Sequence, residues 1–453
     1  MMKVISFYFG ESHMERKPRA AIYTLGCRTN QYESDVVCER LAENGFEICD
    51  PGEKADVYIV NTCSVTAEAD RKSRQFIRRG KHLNPDAVVI AMGCYSQINP
   101  QKAFELGADF VCGTRNKLSA VDFAVRAVTG GFERRTEVGE LAGVPMEKMF
   151  MGHFKGDRAY LKIEDGCDNH CAYCIIRRAR GNVVSRDPEE IGAEAKAIVR
   201  SGCREIVLTG IEVASYGRDG KGYTLADAVR AVCESGAERV RLASLEPSVL
   251  NERLINSLKD CRGFLPSFHL SLQSGSADVL KRMRRKYNPD MVRRSVAMIK
   301  SAFPDAEFSA DVIVGFPGET DEDFKETCRL CEDIGLYHIH IFPYSDRAGT
   351  EAEKMTGKVP PETKSRRCAE LAAVGEAISE KVYKSYIEKQ TPLYVLIEEK
   401  QDEYYFGHAQ NMLDVRIKSD ENLCGKIVKC VVVDYKNGCA YAALCGEGTN
   451  EKG

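Results

Sequence analysis

The sequence predicts an α/β protein in three parts. An N-terminal parallel-sheet domain is followed by a partial (β/α)6 barrel of the TIM type and a small C-terminal antiparallel β-barrel. Two observations predict this. Short β-branched runs alternate with helical stretches over most of the chain, and that alternation stops near residue 388. Strands separated by helices make a parallel sheet, because a crossover connection brings each strand back in the same direction.

In the first segment, residues 18–142, AIYTLGC (21–27), DVYIVNTC (56–63), AVVIAMGC (87–94) and ADFVCG (108–113) read as buried strands. They are short, apolar and closed by turn residues. ESDVVCERLAENG (33–45) reads as a helix between the first two. Each strand ends at or beside a cysteine. A parallel sheet gathers its carboxyl ends along one edge, where such sheets place their sites. Cys27, Cys63 and Cys94 therefore either converge or stand as independent strand-end cysteines, with Cys112 in a comparable place.

In the second segment, residues 150–385, six strands are expected: 159–167, 205–210, 239–247, 268–275, 308–320 and 337–345. A further short strand is possible near 181–186. Helices at 189–202 and 224–236 show the 3.6-residue period. Six β/α units make a TIM-type barrel that stays open on one side, with its site at the carboxyl ends of the strands. The third segment, 388–449, alternates apolar and polar residues without a long helix, the pattern of a small β-barrel.

Composition narrows the class. The 453 residues carry a net charge of −3 and are 43% hydrophobic, which predicts a soluble globular chain. No apolar run reaches the roughly 18 residues of a membrane span. MMKVISFYFGESHMERKPRA lacks the apolar core and cleavage site of a signal peptide, so a cytoplasmic protein is expected; a monomer is expected as a separate reading. The first 13 residues match no pattern. MERKPRAAIYTLGC from Met14 reads as a natural start, or else residues 1–17 lack order. Nineteen cysteines in a reducing compartment are ligands, catalytic groups or core residues rather than disulfides. Cys38, Cys49, Cys203, Cys233, Cys328 and Cys331 read as core. The basic runs 71–81, 175–181 and 281–286 read as solvated faces or as phosphate contacts.

The chemistry concentrates in EDGCDNHCAYC (164–174), where Cys167, Cys171 and Cys174 stand at C-x3-C-x2-C spacing. A structural zinc wants four ligands, and no cysteine or histidine follows at second-pair spacing. His170 adjoins Cys171, which works against both reaching one ion. Iron–sulfur clusters take thiolates. A cubane held by three cysteines leaves one iron open, and the missing ligand becomes a binding site.

This spacing, with Tyr173 before the last cysteine, resembles the radical S-adenosylmethionine (SAM) enzymes. TLGCRTNQYES, VNTCSVTAEADRKSRQ, MGCYSQ and DGCDNHCAYCIIRRARG resemble the methylthiotransferases of that superfamily, and the last segment resembles a TRAM domain. The resemblance runs from about residue 20 to residue 447. It implies one 4Fe–4S cluster on Cys167, Cys171 and Cys174 that binds SAM. It implies a second, auxiliary 4Fe–4S cluster on Cys27, Cys63 and Cys94. Cys112 matches no family cysteine and is left as a core residue. The same resemblance implies two uses of SAM, as methyl donor and as radical source, and an electron-donor protein.

LTGIEVASYG, RLASLEP and LKRMRRKY resemble the MtaB type, which acts on N6-threonylcarbamoyladenosine at position 37 in the tRNA anticodon loop. The other branches act on isopentenyladenosine in tRNA or on an aspartate of a ribosomal protein. A non-enzyme alternative is an RNA-binding protein in which metal props the fold. Arg177 and Arg178 depart from the family's Pro-Tyr, and Glu212 stands where the MtaB type has His. Residues 388–447 hold ten acids against seven Lys and Arg, so any RNA contact there must use a local face.

By the same resemblance, Gly210 and Glu212 fall near the methionyl end of SAM, and Ser244, Gln273, Val314, Gly315 and Phe316 near its ribose and adenine. Each is equally accounted for by strand-end packing. GFPGET (315–320) also makes a good helix start, with Glu319 at the positive end of the dipole.

Overall fold

The computed structural model describes residues 16–445. The expectations about residues 1–15, including a start at Met14, lie outside the described residues. Arg16, within the stretch expected to lack order, pairs with Asp56 at 2.7 Å.

Six parallel strands form the N-terminal sheet: β1 (Arg19–Thr24), β2 (Glu47–Cys49), β3 (Val57–Thr62), β4 (Val88–Gly93), β5 (Phe110–Cys112) and β6 (Arg135–Glu137). Their order is β2-β1-β3-β4-β5-β6. β3 and β4 are central and buried along their whole length. Burial on both faces is why they read as unbroken apolar runs. The edge strands β2 and β6 were not legible. Each has three half-exposed residues and no apolar alternation. The helix expected at 33–45 spans Arg28–Glu43. Its buried face includes Asn30 and Glu33 beside Tyr32, Val36, Val37 and Leu41.

The central region carries β7 (Arg158–Lys162), β8 (Glu164–Asp165), β9 (Val184–Ser185), β10 (Glu205–Thr209), β11 (Arg239–Leu242), β12 (Ser267–Gln273), β13 (Glu307–Val314) and β14 (Leu336–Pro343). β7-β10-β11 and β12-β13-β14 are parallel sheets, joined through the bridges Val240–Phe264 and Leu245–Leu270. Six parallel strands thus follow chain order and stay open between β7 and β14, the expected partial barrel. The N-terminal helix Arg28–Glu43 packs on β7, and the long helix Pro361–Lys389 packs on β14. One hydrophobic core runs through both sheets, from Val36 and Ile90 to Leu208 and Val312.

β15 (Leu393–Gln401), β16 (Tyr404–His408), β17 (Asp414–Lys418), β18 (Ile427–Lys436) and β19 (Cys439–Leu444) close a barrel in the order β15-β16-β17-β19-β18. It is mostly antiparallel, but β17 and β19 pair in parallel. Five strands in a closed ring cannot alternate direction throughout, so at least one parallel pair is obligatory. Among the described residues no helix is long and apolar enough to cross a membrane.

Candidate active site

The Cys167 loop is an excursion between two short paired strands. β8 and β9 are antiparallel, with Glu164 opposite Ser185. The loop between them is pinned by the Cys167 N–H donating to the Gly181 carbonyl at 3.1 Å. Inside it, nitrogens face the sulfurs. The Asn169 N–H donates to Cys167 Sγ at 3.4 Å, and the Ile176 N–H to Cys174 Sγ at 3.5 Å. Arg285 Nη1 donates to Cys171 Sγ at 3.2 Å. Arg285 also pairs with Glu246 at 3.0 Å, and Asn169 Nδ2 donates to the same carboxylate at 3.1 Å. Burial pushes the Cys174 thiol up to about 11 and raises Cys167 as well.

The second set of thiols forms at the carboxyl edge of the N-terminal sheet. Thr62 of β3 pairs with Gly93 of β4, so the next residues, Cys63 and Cys94, leave adjacent strands together. Cys27 caps the helix Arg28–Glu43. Gly26 brings it there with φ +95°, and a Cβ on Gly26 would sit 2.5 Å from Cys63 Sγ. Only glycine allows that approach. Cys63 and Cys94 are buried and Cys27 is exposed. Burial pushes Cys63 up to about 12, and the thiols of Cys94 and Cys27 add to the shift. Cys112 lies one strand further on, fully buried in the hydrophobic core.

The donor chemistry of both triads fits an iron–sulfur cluster better than a single ion. Tetrahedral zinc at about 2.3 Å from each sulfur needs sulfurs closer than about 4 Å. Among the described residues, the only ligand trio within 4.8 Å of one another is His269, Asp311 and His340, so neither thiol triad closes that tightly.

Between the triads lies a buried charge network. Glu33 accepts from Arg180 at 2.5 Å, from Lys162 at 2.7 Å and from Lys117. Asp165 accepts from Lys162 at 2.6 Å and Arg180 at 3.3 Å, and Arg115 lies 3.7 Å away. These side chains are essentially inaccessible to water. The surrounding cations, Arg180 first, hold the Glu33 carboxyl well below the usual range against its burial. Arg180 Nε also donates to Cys94 Sγ at 3.3 Å.

Two cavities open between the sheets. One, of about 380 Å³, is lined by Cys27 and Arg28 from the N-terminal sheet and by Gly210, Glu212, Ser244, His269 and Asp311 from the barrel. The other, of about 240 Å³, is lined by Val65 and Thr66 next to Cys63 and by Tyr173, Gln273 and Asp311. The Glu164 carboxyl packs directly on Gly210, since a Cβ there would lie 2.0 Å from Glu164 Oε1. Burial, then Glu246, pushes Glu212 up to about 7, and its Oε1 is buried without a partner.

Gly210, Glu212 and Ser244 thus share one cavity, and Tyr173 and Gln273 the other. Val314 lies in the hydrophobic core, and Phe316 is fully buried, packed edge-on against Tyr173 and Tyr344. The Gly315 N–H donates to Glu319 at 3.0 Å. Glu319 in turn pairs with Arg367 at 2.7 Å.

Sequence reasoning missed four contributors. Arg180 and Arg285 belong to basic runs read as solvated faces or phosphate contacts, yet both are buried and face sulfur. His269 and His340 lie on barrel strands, and Nε2 of His269 is 3.1 Å from Asp311. The i, i+2 spacing of His338 and His340 along a strand was their one available signal.

Residues 161–331 match the Radical SAM superfamily, and residues 19–113 match Uncharacterized protein family UPF0004. A Bacillus subtilis protein named threonylcarbamoyladenosine tRNA methylthiotransferase MtaB is 36% identical over 91% of this chain and 93% of its own. A Thermotoga maritima protein of that name is 38% identical over 85% and 90%. An Acetivibrio thermocellus tRNA-2-methylthio-N(6)-dimethylallyladenosine synthase is 32% identical over 93% and 90%. Among solved structures, the radical SAM methyltransferase TsrM from Kitasatospora setae aligns with a TM-score of 0.55 over 75% of this chain and 74% of that one. At 13% identity that likeness concerns the fold alone. With its thiol triad at the mouth of a six-stranded partial barrel and relatives above 30% identity along most of its length, this chain belongs to the radical SAM methylthiotransferase family.

Proposed function

We propose that this enzyme inserts a methylthio group at C2 of N6-threonylcarbamoyladenosine at position 37 of tRNA, with SAM as both methyl donor and radical source. The observation that carries the reading is the cavity shared by Cys27 and the barrel strand ends. A substrate base there would lie between the two thiol sets. The names of the MtaB relatives support the branch. The dimethylallyl synthases at 32–34% identity keep isopentenyladenosine as the second reading.

In this reading Cys167, Cys171 and Cys174 hold one 4Fe–4S cluster, and Cys27, Cys63 and Cys94 hold an auxiliary one. When bound, the first cluster and SAM supply the radical that an unactivated C–H bond demands, chemistry beyond side-chain acids and bases. The chain's residues position and shield. Glu212, with its unpartnered oxygen, offers an acceptor to an ammonium group in the cavity. Tyr173, backed by Phe316, closes the loop over its apolar side.

We assign residues 18–142 to the auxiliary-cluster domain, 150–385 to the radical SAM core and 388–449 to a TRAM domain that contacts the anticodon arm. The exposed Tyr394, paired across the strands with Lys429, suits such a contact. An electron-donor protein and a cytoplasmic, monomeric enzyme complete the reading.

The test is mass spectrometry of nucleosides from total tRNA, with and without this gene in a host lacking the activity. A 2-methylthio-N6-threonylcarbamoyladenosine peak is expected. A methylthio-isopentenyladenosine peak would move the assignment to the other branch. Cys171→Ala should abolish reductive SAM cleavage to 5′-deoxyadenosine in the reconstituted protein, and surviving cleavage would remove that triad from the site.

A further inference from the structure

We propose that Arg180 is the sulfur hydrogen-bond donor and counter-charge for the cluster held by Cys27, Cys63 and Cys94, and that with Lys117 and Arg115 it raises that cluster's reduction potential above that of the SAM cluster. The inference rests on the two-cluster reading above.

Arg180 comes from the wrong side of the molecule for a ligand sphere made by the N-terminal sheet. It ends the short helix Ile176–Arg180, which starts two residues after Cys174. Its side chain leaves the Cys174 loop, crosses to the other sheet and donates Nε–H to Cys94 Sγ at 3.3 Å. The other face of the guanidinium is fixed by Glu33 at 2.5 and 3.0 Å and by Asp165 at 3.3 Å. Arg115, from the loop after β5, anchors the end of the same helix by donating to the Arg180 carbonyl at 2.9 Å. The donor is therefore held from both sheets.

The charges in this network do not balance. Arg180, Arg115, Lys117 and Lys162 stand against the carboxylates of Glu33 and Asp165. Two further buried acids stand nearby: Glu147, bonded to the backbone N–H groups of Lys117 and Leu118, and Glu164, beside Asp165. Burial and the neighbouring Asp165 raise the Glu164 carboxyl well above its ordinary range and disfavour its charge, so the four cations exceed the carboxylates even with Glu147 counted. An excess of buried charge is costly, and Arg115, 3.7 Å from Asp165, leaves its Nε and Nη1 without a hydrogen-bond acceptor. Three thiolates on a 4Fe–4S cluster make an anion, and one-electron reduction makes it more negative. An excess of buried cations next to Cys94 favours that reduced form, since cluster potentials follow net charge and hydrogen bonds to sulfur.

The other triad has no such excess. Arg285 donates to Cys171 but is paired with Glu246, and Glu212 adds a further carboxyl nearby. The same type of contact thus sits in two different electrostatic settings.

The test uses the full chain carrying Cys167→Ala, Cys171→Ala and Cys174→Ala, reconstituted anaerobically, so that only the N-terminal triad can bind iron. Iron and sulfide content are measured first. A chain that binds no cluster refutes the two-cluster reading rather than the role of Arg180. Midpoint potentials are then read by dithionite titration followed by electron paramagnetic resonance. Arg180→Met should lower the one-electron reduction equilibrium at least tenfold, a shift of about 59 mV to more negative potential. Arg180→Lys should fall between parent and Arg180→Met. Should Arg180→Met fail to fold, Arg115→Met leaves Arg180 in place and should move the potential in the same direction by a smaller factor. Unmoved potentials in the folded variants, or Arg180→Lys as displaced as Arg180→Met, would overturn the proposal.

Discussion

The barrel holds a buried ion cluster at each end, and the two differ in what their cations reach. At the carboxyl end of β7, Lys162, Lys117 and Arg180 converge on Glu33, and Arg180 extends to a sulfur. At the amino end, Arg158, Arg239 and Arg241 converge on Glu205 at 2.6, 2.6 and 2.9 Å. There Arg158 also pairs with the Glu398 carboxylate at 2.8 Å, and the remaining guanidinium hydrogens of Arg239 and Arg241 go to backbone. Arg239 donates to the carbonyls of Tyr394, His408 and Ala409, and Arg241 to those of Ala409 and Gln410. All these acceptors belong to the C-terminal barrel or its connections. The cluster at the amino end is a docking device whose cations are satisfied by carbonyls and by the Glu398 carboxylate of the C-terminal barrel. The cluster at the carboxyl end keeps cationic capacity pointed at the Cys94 thiol. Similar residue types in one barrel thus serve assembly at one end and the site at the other.

The largest expected effect comes from removing the shared acceptors. Glu33→Ala leaves Lys117 without its carboxylate, and Lys162 and Arg180 with Asp165 alone, and should cost about 3–5 kcal/mol, read as a shift of the denaturant midpoint. Glu205→Ala should cost less, about 1–3 kcal/mol, because Arg239 and Arg241 keep their carbonyl acceptors and Arg158 keeps Glu398. The reverse ranking would break the comparison. Next, Arg239→Ala with Arg241→Ala should loosen the C-terminal barrel, seen as faster proteolysis near residues 389–392, while iron content stays unchanged.

The pH dependence sharpens the contrast further. Glu33 and Glu205 both have depressed values, held down by their cations against desolvation. Their stabilisation is therefore present above the ordinary carboxylate range and is lost as pH falls through and below it. Glu307, near Tyr386 at 3.2 Å, is shifted the other way, pushed up to about 7 by burial. Its protonated form suits the fold, so stability is lost as pH rises toward and through 7. Glu307→Gln should raise the melting temperature at pH 8 and leave it nearly unchanged at pH 4. The smallest effect is expected from Cys112→Ala. It should cost on the order of 1 kcal/mol, with no loss of iron.

The strands were legible because burial on both faces leaves a continuous apolar run, as in VYIVNT and VVIAMG. The thiols of 167–174 were legible because three ligands within eight residues have few other uses. The convergence of Cys27, Cys63 and Cys94 was only half legible. Strand-end placement suggested it, but the close approach depends on Gly26 and on strand register, which spacing does not carry. Arg180 and Glu33 were illegible for a deeper reason. They are 147 residues apart, and each is buried only because the other sheet supplies its partner. Read locally, one is a charge in a basic run and the other a polar residue on a helix. β2 and β6 escaped because edge strands need little burial, and the β17–β19 pairing because it follows from ring closure rather than from side chains.

The helix Ile176–Arg180 has a consequence for how this chain can be divided. It begins beside one thiol triad and ends on another, while Arg347 from the far side of the barrel reaches back to Asp70 at 2.7 Å and to the Ser64 carbonyl. A cut between residues 142 and 150 would respect the sheets but strand Glu33 on one fragment and Lys162 and Arg180 on the other. Each piece would then expose a half-finished charge network, and the pair would reassociate rather than live apart. The two sheets are separable in a diagram and inseparable as modules: what nature can recombine here is the whole pair.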